Sequence, residues 1–404
     1  MLNILTSTFI PPALREPILS DGLLPRYWAT VWSAMALGGA ALNTKILKLR
    51  YLEEFYAYAD SVHGPLVLDN ALAKLDTDKL AELLEGYFIT LKNKPVRTTG
   101  DEARWKTIHE FVTTVVTWQS RGNPQSALVK AAKRFLHLDN LYKQLHVQRP
   151  RKQDLLRALP ANVVAALYEM LDPVSATNPF RREKTRWMVF VIFIVLLHQG
   201  LRRGELLLQP VNAVKSADNR QTGQRRYWLN VDTRADEVDD PRYNRPSIKT
   251  DASLRQVPVS ELTASIIQTY TENYRGKAKH PFLLNSAMGT PLSMEGVTAI
   301  FGRISDALPK QARIELEDRT GKTSITAHDL RHTSAVVRLN QLLDSNVEME
   351  LALQKLRTFF GWSRTSDMPR KYARAVFEDR LANIWSNILD DRVAVLNALP
   401  KSKP

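Results

Sequence analysis

The run WMVFVIFIVLL, Trp187 to Leu197, restricts the folds open to this chain more than any other feature. A helix that is apolar all round must be covered by protein on every side, and this one is well short of the roughly 20 residues needed to cross a bilayer. It demands a globular core built around a central helix. The 404-residue chain can supply one, since 44% hydrophobic and 24% charged residues is the balance of a soluble protein of two or three domains.

Lys and Arg number 56 against 42 Asp and Glu, a formal charge of +14, so a polyanion is the expected partner. Nucleic acid comes first. An anionic membrane comes second, but no polybasic amphipathic anchor or lipidation motif accompanies the charge, and no membrane partner is expected. The absence of cysteine excludes disulfides, thiolate metal sites and cysteine nucleophiles, and fits a reducing, cytoplasmic location. The opening MLNILTSTFIPPALREP has no basic region leading into a clean apolar stretch, so no secretory signal is expected. There is no G-x-x-x-x-G-K-[ST] loop, no carboxylate cluster at two-metal spacing and no zinc pattern; neither metal nor cofactor is expected.

Helical periodicity dominates the first third. Leu42, Ile46, Leu49, Phe55 and Ala59 recur at helical spacing, with Asn43 or Thr44 placed to cap and Lys45, Lys48 and Arg50 between them, which predicts an amphipathic helix with a basic side. Further helices are predicted over Asp76–Phe88 and Gly100–Trp118, each opening on acidic or capping residues. This gives an N-terminal extension over 1–23 and a helical domain over 24–145. HVQRPRKQD, with Arg149, Arg151 and Lys152 beside a proline, reads as an exposed basic connector over 146–154 or as a plain solvated loop. A second domain over 155–404 opens with the helix PANVVAALYEML, a charged loop and the apolar helix. β-Branched alternation in YWLNV, RPSIKT and LRQVPVS then predicts a small antiparallel sheet, after which ELTASIIQTYTENY returns to helix. The fold class is mainly α with a small antiparallel sheet: a helical N-terminal domain followed by an α+β domain.

Chemistry-bearing residues concentrate in the second domain. In AHDLRHTSA, His328 and Arg331 are three apart, so on a helix both reach one side and one phosphate; the same spacing also suits a surface pair. In GLRRGELLL, Gly200 permits a tight turn before Arg202, whose planar fork of donors suits a phosphate, while Glu205 can orient an arginine or cap the next helix. Solvated arginines at an ordinary helix start fit equally. Lys249, in SIKTDASLRQVP, lies between candidate strands beside a turn, where nearby cations and desolvation can make a lysine a proton donor, although most hairpin lysines are simply exposed. Tyr372 sits in the basic stretch RKYAR rather than an apolar stripe, which favours an accessible phenol over a core residue.

Taken in order, GLR, IKTDASLRQVP, HDLRH, FGW and KYA resemble the motifs of the tyrosine recombinase (phage integrase) family over about Leu155 to Phe377. The resemblance implies a catalytic set of Arg202, Lys249, His328, Arg331, Trp362 and the nucleophile Tyr372, supported by Glu205 and His332. It implies phosphate-stabilising arginines, His328 aiding deprotonation of Tyr372, Lys249 protonating the leaving 5′ oxygen, and a 3′-phosphotyrosine intermediate. It also implies a clamp on double-stranded DNA, with Lys45, Lys48, Arg149, Arg151 and Lys152 on phosphates. The protein would work as a homo-oligomer, a dimer per site and a tetramer at synapsis, with possible accessory proteins. The chain departs from the commonest pattern at Trp362, where an indole can donate a hydrogen bond but not shuttle a proton, and in the length of Ser363–Lys371, which contains Pro369. The extra length suggests a differently shaped turn or a mobile segment before the tyrosine. Two other readings share these residues: a type IB topoisomerase-like relaxase, and a DNA-binding accessory protein that does not cleave. The apolar positions after Tyr372, including Val376, Leu381, Ile384 and Trp385, predict a C-terminal helix that packs on its own domain or on a neighbour.

Overall fold

The computed structural model describes residues 2–4, 16–22, 24–95, 98–120, 133, 137, 140, 158–219, 223–232, 240–242, 245–248 and 251–384. The chain divides into two compact units, Met1–Lys152 and Gln153–Pro404. The predicted connector over 146–154 lies outside the described residues.

In the first unit, strands β1 (Leu2–Ile4), β2 (Pro17–Asp21) and β3 (Leu24–Pro25) form an antiparallel sheet beside helices α1 (Tyr27–Ala36), α2 (Leu42–His63), α3 (Val67–Lys74), α4 (Thr77–Lys92) and α5 (Thr99–Gln119). Leu19 of β2 is buried in the same core as Trp32, Phe55 and Phe111, so the described part of the first 23 residues is packed into the unit rather than appended to it. The α4 boundary has a local cause: Asp76 accepts from the Lys79 backbone N–H at 3.0 Å. A capping box between Thr98 and Asp101 starts α5. α2 starts without a side-chain cap, at Ala41, rather than on Asn43 or Thr44.

The second unit is built around the apolar run. Helix α6 (Ala161–Leu171) precedes α7 (Glu183–His198), in which Met188, Val189 and Val191 to Leu197 are all buried. α8 (Arg203–Leu207) follows, and then a three-stranded antiparallel sheet of β4 (Val214–Asp218), β5 (Arg225–Val231) and β6 (Arg255–Val259), with β5 central. The third strand differs from expectation. Arg245–Ile248 form no strand, Lys249 and Thr250 are outside the described residues, and Val214–Asp218 takes that edge, pairing Val214 with Leu229. The alternation there is masked by Lys215, Ser216 and Asp218 on an edge exposed along most of its length. Helix α9 (Glu261–Thr269) runs into a π turn over Tyr270–Tyr274. Helices α10 (Met294–Ala307), α11 (Lys310–Thr320), α12 (Ala327–Asp344), α13 (Met349–Phe360) and α14 (Met368–Ile384) follow among the described residues. α12 packs on α7, α13 and α14, and so links the main core to a smaller one containing Phe360, Trp362 and Tyr372. Among the described residues no helix is long and apolar enough to cross a membrane.

Candidate active site

Just past the end of the central helix the chain turns at a glycine whose place other residues would fill only with strain. Gly200 has φ +57°, and a Cβ added there would lie 2.3 Å from the Phe360 ring. The turn carries Arg202 to the N-cap of α8. Glu205 accepts from the Arg202 backbone N–H at 2.9 Å and from its guanidinium at 2.6 Å, so it caps the helix and orients the arginine at once. The same guanidinium donates to Ser253 Oγ at 2.8 Å.

Three arginines from distant parts of the chain meet one helix end. α13 finishes with Gly361 at φ +60°; Trp362 N–H donates to Arg357 O at 3.0 Å and Gly361 N–H to Thr358 O at 3.4 Å. The next three carbonyls are each taken by a different guanidinium. Arg255 donates to Phe359 O at 2.7 Å, Arg331 to Phe360 O at 2.8 Å, and Arg202 to Gly361 O at 3.3 Å. Cations at a helix C-terminus are favoured by its partial negative charge. On their other side the same arginines surround Glu205, whose side chain is only 1% exposed: Arg255 lies 2.9 Å away and Arg331 3.8 Å. Burial pushes the Glu205 carboxyl up, but the Arg255 hydrogen bond and the charges of Arg255 and Arg331 prevail and hold it below the usual carboxylate range. Arg331, 2% exposed, also donates to Gly200 O, and burial lowers its pKa from the ordinary guanidinium value. Arg202, at 24%, is the member of the cluster with the most access to solvent.

α12 is started by a capping box between Thr326 and Asp329, which sets His328 and Arg331 on its first turns. His328 is exposed and meets the His332 ring edge-on at 4.1 Å. Desolvation and the Arg331 charge lower its pKa. His332 is buried, with its pKa lowered to about 4 by desolvation first and by His328 second. Its Nδ1 is 2.5 Å from the Tyr372 hydroxyl. The neutral imidazole accepts through Nδ1 and the phenol donates. Tyr372 is 0% exposed, stacks on Trp362 at 5.3 Å, and has its pKa raised well above the usual phenol value by burial, against the opposing charges of Arg331 and Arg202. Trp362 lies between Tyr372 and Phe360, whose ring is 4.8 Å away and nearly parallel.

The structure thus brings Arg202, Glu205, His328, Arg331, His332, Trp362 and Tyr372 together, and it corrects several roles. Tyr372 is a core residue, not an accessible phenol: Lys371 and Arg374 face out while the ring turns in. Its partner is His332 rather than His328, because α12 points the later histidine inward. The Trp362 ring is stacked on both faces. Pro369 sits in the first turn of α14, where its missing N–H costs nothing, and Tyr372 lies on a regular helix. Lys45 and Lys48 do not form a free basic face: Lys45 is buried and paired with Glu16 at 2.8 Å, and Lys48 is paired with Glu110 at 2.9 Å, over the Trp32 ring. Lys249, Arg149, Arg151 and Lys152 lie outside the described residues.

Sequence reasoning missed Arg255, Ser253 and Asp329. The Thr-x-x-Asp pattern at Thr326 announced the cap at Asp329. Arg255 carried little local signal, since two of its partners lie 50 and 104 positions away and the third is a main-chain carbonyl, that of Ser253, which any residue would offer.

No family model matches the sequence, and no curated protein matches it. Among solved structures, the XerH site-specific recombinase bound to difH substrate is 17% identical with a TM-score of 0.46, the match covering 89% of this chain and 82% of that one. A lambda integrase dimer bound to a COC′ core site is 14% identical with a TM-score of 0.38, over 86% and 95% of the two chains. A lambda integrase tetramer bound to a Holliday junction is 14% identical with a TM-score of 0.29, over 89% and 90%. Both neighbours are tyrosine recombinases. This chain is similar to them in the path of its backbone, and likeness at this level says nothing of its activity.

Proposed function

We propose that the protein is a site-specific DNA recombinase that cuts and rejoins strands through a phosphotyrosine. The observation that carries this reading is the convergence of Arg202, Arg331 and Tyr372, separated by up to 170 positions, on one end of α13. The net charge of +14 suits a DNA partner.

In this mechanism the phenolic oxygen of Tyr372 attacks phosphorus, the P–O5′ bond breaks, and a 3′-phosphotyrosine and a free 5′ hydroxyl result. Arg202 and Arg331 stabilise the charge growing on the non-bridging oxygens. The tyrosine proton passes to a histidine of the 328–332 pair, and Lys249 gives a proton to the leaving oxygen. The covalent bond keeps the phosphodiester's energy, so a 5′ hydroxyl of another strand reverses the steps and joins. The protein is proposed to act as a homo-oligomer on DNA, with the basic 146–154 segment on phosphates. Tyr372 must leave its stack before it reaches a phosphate held at Arg202. That burial favours the second reading, a protein that binds DNA without cutting it.

Nicked suicide duplexes drawn from the flanks of the protein's own gene separate the two. The wild type is expected to become covalently attached to DNA, and Tyr372→Phe to bind without attachment. Binding without an adduct by both supports the non-cleaving reading; an adduct from both shows that the nucleophile is another residue. Exchange of strands between two labelled duplexes then distinguishes a recombinase from a relaxase.

A further inference from the structure

We infer that Arg255 is a positioning residue for phosphoryl transfer, holding Arg202 and Arg331 in place without touching DNA; this rests on the strand-transfer reading above. Each of its guanidinium nitrogens is engaged: Nε on Phe359 O at 2.7 Å, one terminal nitrogen on Ser253 O at 2.7 Å, the other on Glu205 at 2.9 Å. Its side chain is 6% exposed, so no phosphate reaches it.

What those three contacts join is the whole cluster. Ser253 receives Arg202, Glu205 receives Arg202 and faces Arg331, and Phe359 precedes the two carbonyls that hold Arg331 and Arg202. Arg255 therefore ties the start of β6 to the end of α13 and to the carboxylate between them. Lysine cannot do this, because one ammonium on a flexible stem cannot serve acceptors in three directions at fixed geometry. The neighbouring backbone makes room for it: Gly361 has no Cβ, and a Cβ there would come within 2.9 Å of an Arg255 terminal nitrogen. Removing the guanidinium frees the Phe359 carbonyl and one side of Glu205, and the phosphate-binding arginines lose their common reference.

The test compares two substrates in single-turnover cleavage of nicked suicide duplexes. One carries an ordinary scissile phosphodiester. The other carries a methylphosphonate there, in which a methyl replaces a non-bridging oxygen and removes the charge that the arginines must neutralise. Arg255→Ala is expected to slow phosphodiester cleavage about 100-fold, the scale of losing one well-placed donor, with DNA affinity changed less than about threefold. On the methylphosphonate, wild type and variant should differ by less than about threefold, because aligned arginines are no longer needed. Arg255→Lys, which keeps the charge, should recover no more than about tenfold on the phosphodiester. Equal losses on both substrates would show a merely structural residue and overturn the inference, as would wild-type rates in either variant. If Arg255→Ala does not fold, the lysine variant decides by the same comparison. Failure of the wild type to form an adduct on any duplex instead overturns the strand-transfer reading and this inference with it.

Discussion

Replacing Glu205 by glutamine removes one charge and almost no volume, and the surroundings make that change expensive. The carboxylate contacts Arg202 at 2.6 Å and Arg255 at 2.9 Å, with Arg331 at 3.8 Å, and is 1% exposed. At an effective dielectric constant of about 20, each unit charge some 4 Å away is worth about 4 kcal/mol before desolvation is subtracted. Desolvation takes back much of this, yet breaking a buried ion pair from one side typically costs about 3–5 kcal/mol, because the partner stays buried and uncompensated. Glu205→Gln should lose about that much in urea unfolding followed by far-UV circular dichroism, against the roughly 5–15 kcal/mol that holds most domains folded. The loss should depend on pH. The folded carboxyl lies below its unfolded value of about 4.3, so its stabilisation is complete above that pH and disappears as pH falls through the folded value. The gap between wild type and variant should accordingly stay constant from about pH 7 to about pH 5 and narrow as pH falls below about 4.3. A neutral-pH difference under about 1 kcal/mol, or a gap that does not narrow in acid, would refute the account of Glu205 as the counter-charge of the cluster.

His332 adds a second loss in acid, at higher pH. Its folded pKa is lowered to about 4, so the unfolded chain takes up a proton near pH 6.5 that the folded chain refuses; stability is complete above that pH and declines toward pH 4. Its share of this decline is up to about 3 kcal/mol, and His332→Asn should flatten the stability profile between pH 6.5 and 4, leaving the parallel but separate contributions of His198, His280 and His328. An unchanged slope would contradict a neutral buried imidazole. Gly361→Ala places a Cβ 2.8 Å from the Ser253 backbone at φ +60° and should cost about 2–4 kcal/mol in thermal unfolding. Gly22→Ala, at φ +57° with nothing within 4 Å, should cost only about 1–2 kcal/mol; equal costs would mean that crowding at the arginine cluster is not tight.

What the sequence revealed and concealed follows from the range of the interactions. The Trp187–Leu197 run could only be a buried helix, and α7 is one. The start at Asp76 was visible because the cap's partner lies three residues on, whereas the helix expected from Gly100 is capped earlier, by the Thr98–Asp101 box. The grouping of Arg202, Arg331 and Tyr372 was legible as an ordered set of motifs, but not its geometry. Whether Tyr372 faced in or out depended on packing against Trp362 and His332, and its charged neighbours in the chain pointed the wrong way. Lys45 looked solvated because its partner Glu16 is 29 positions away. Arg255 was unreadable for the same reason.

The three arginines are gripped by main-chain oxygens of Phe359, Phe360 and Gly361, an acceptor that every amino acid carries. Substitution along the helix that ends there leaves those oxygens untouched, so descendants of such a protein are free to exchange most of its letters while keeping the charge cluster aligned. What lineages must preserve is the bend at Gly361 and the few long side chains that reach it. A charge cluster held in this way can outlast wide change in the letters around it.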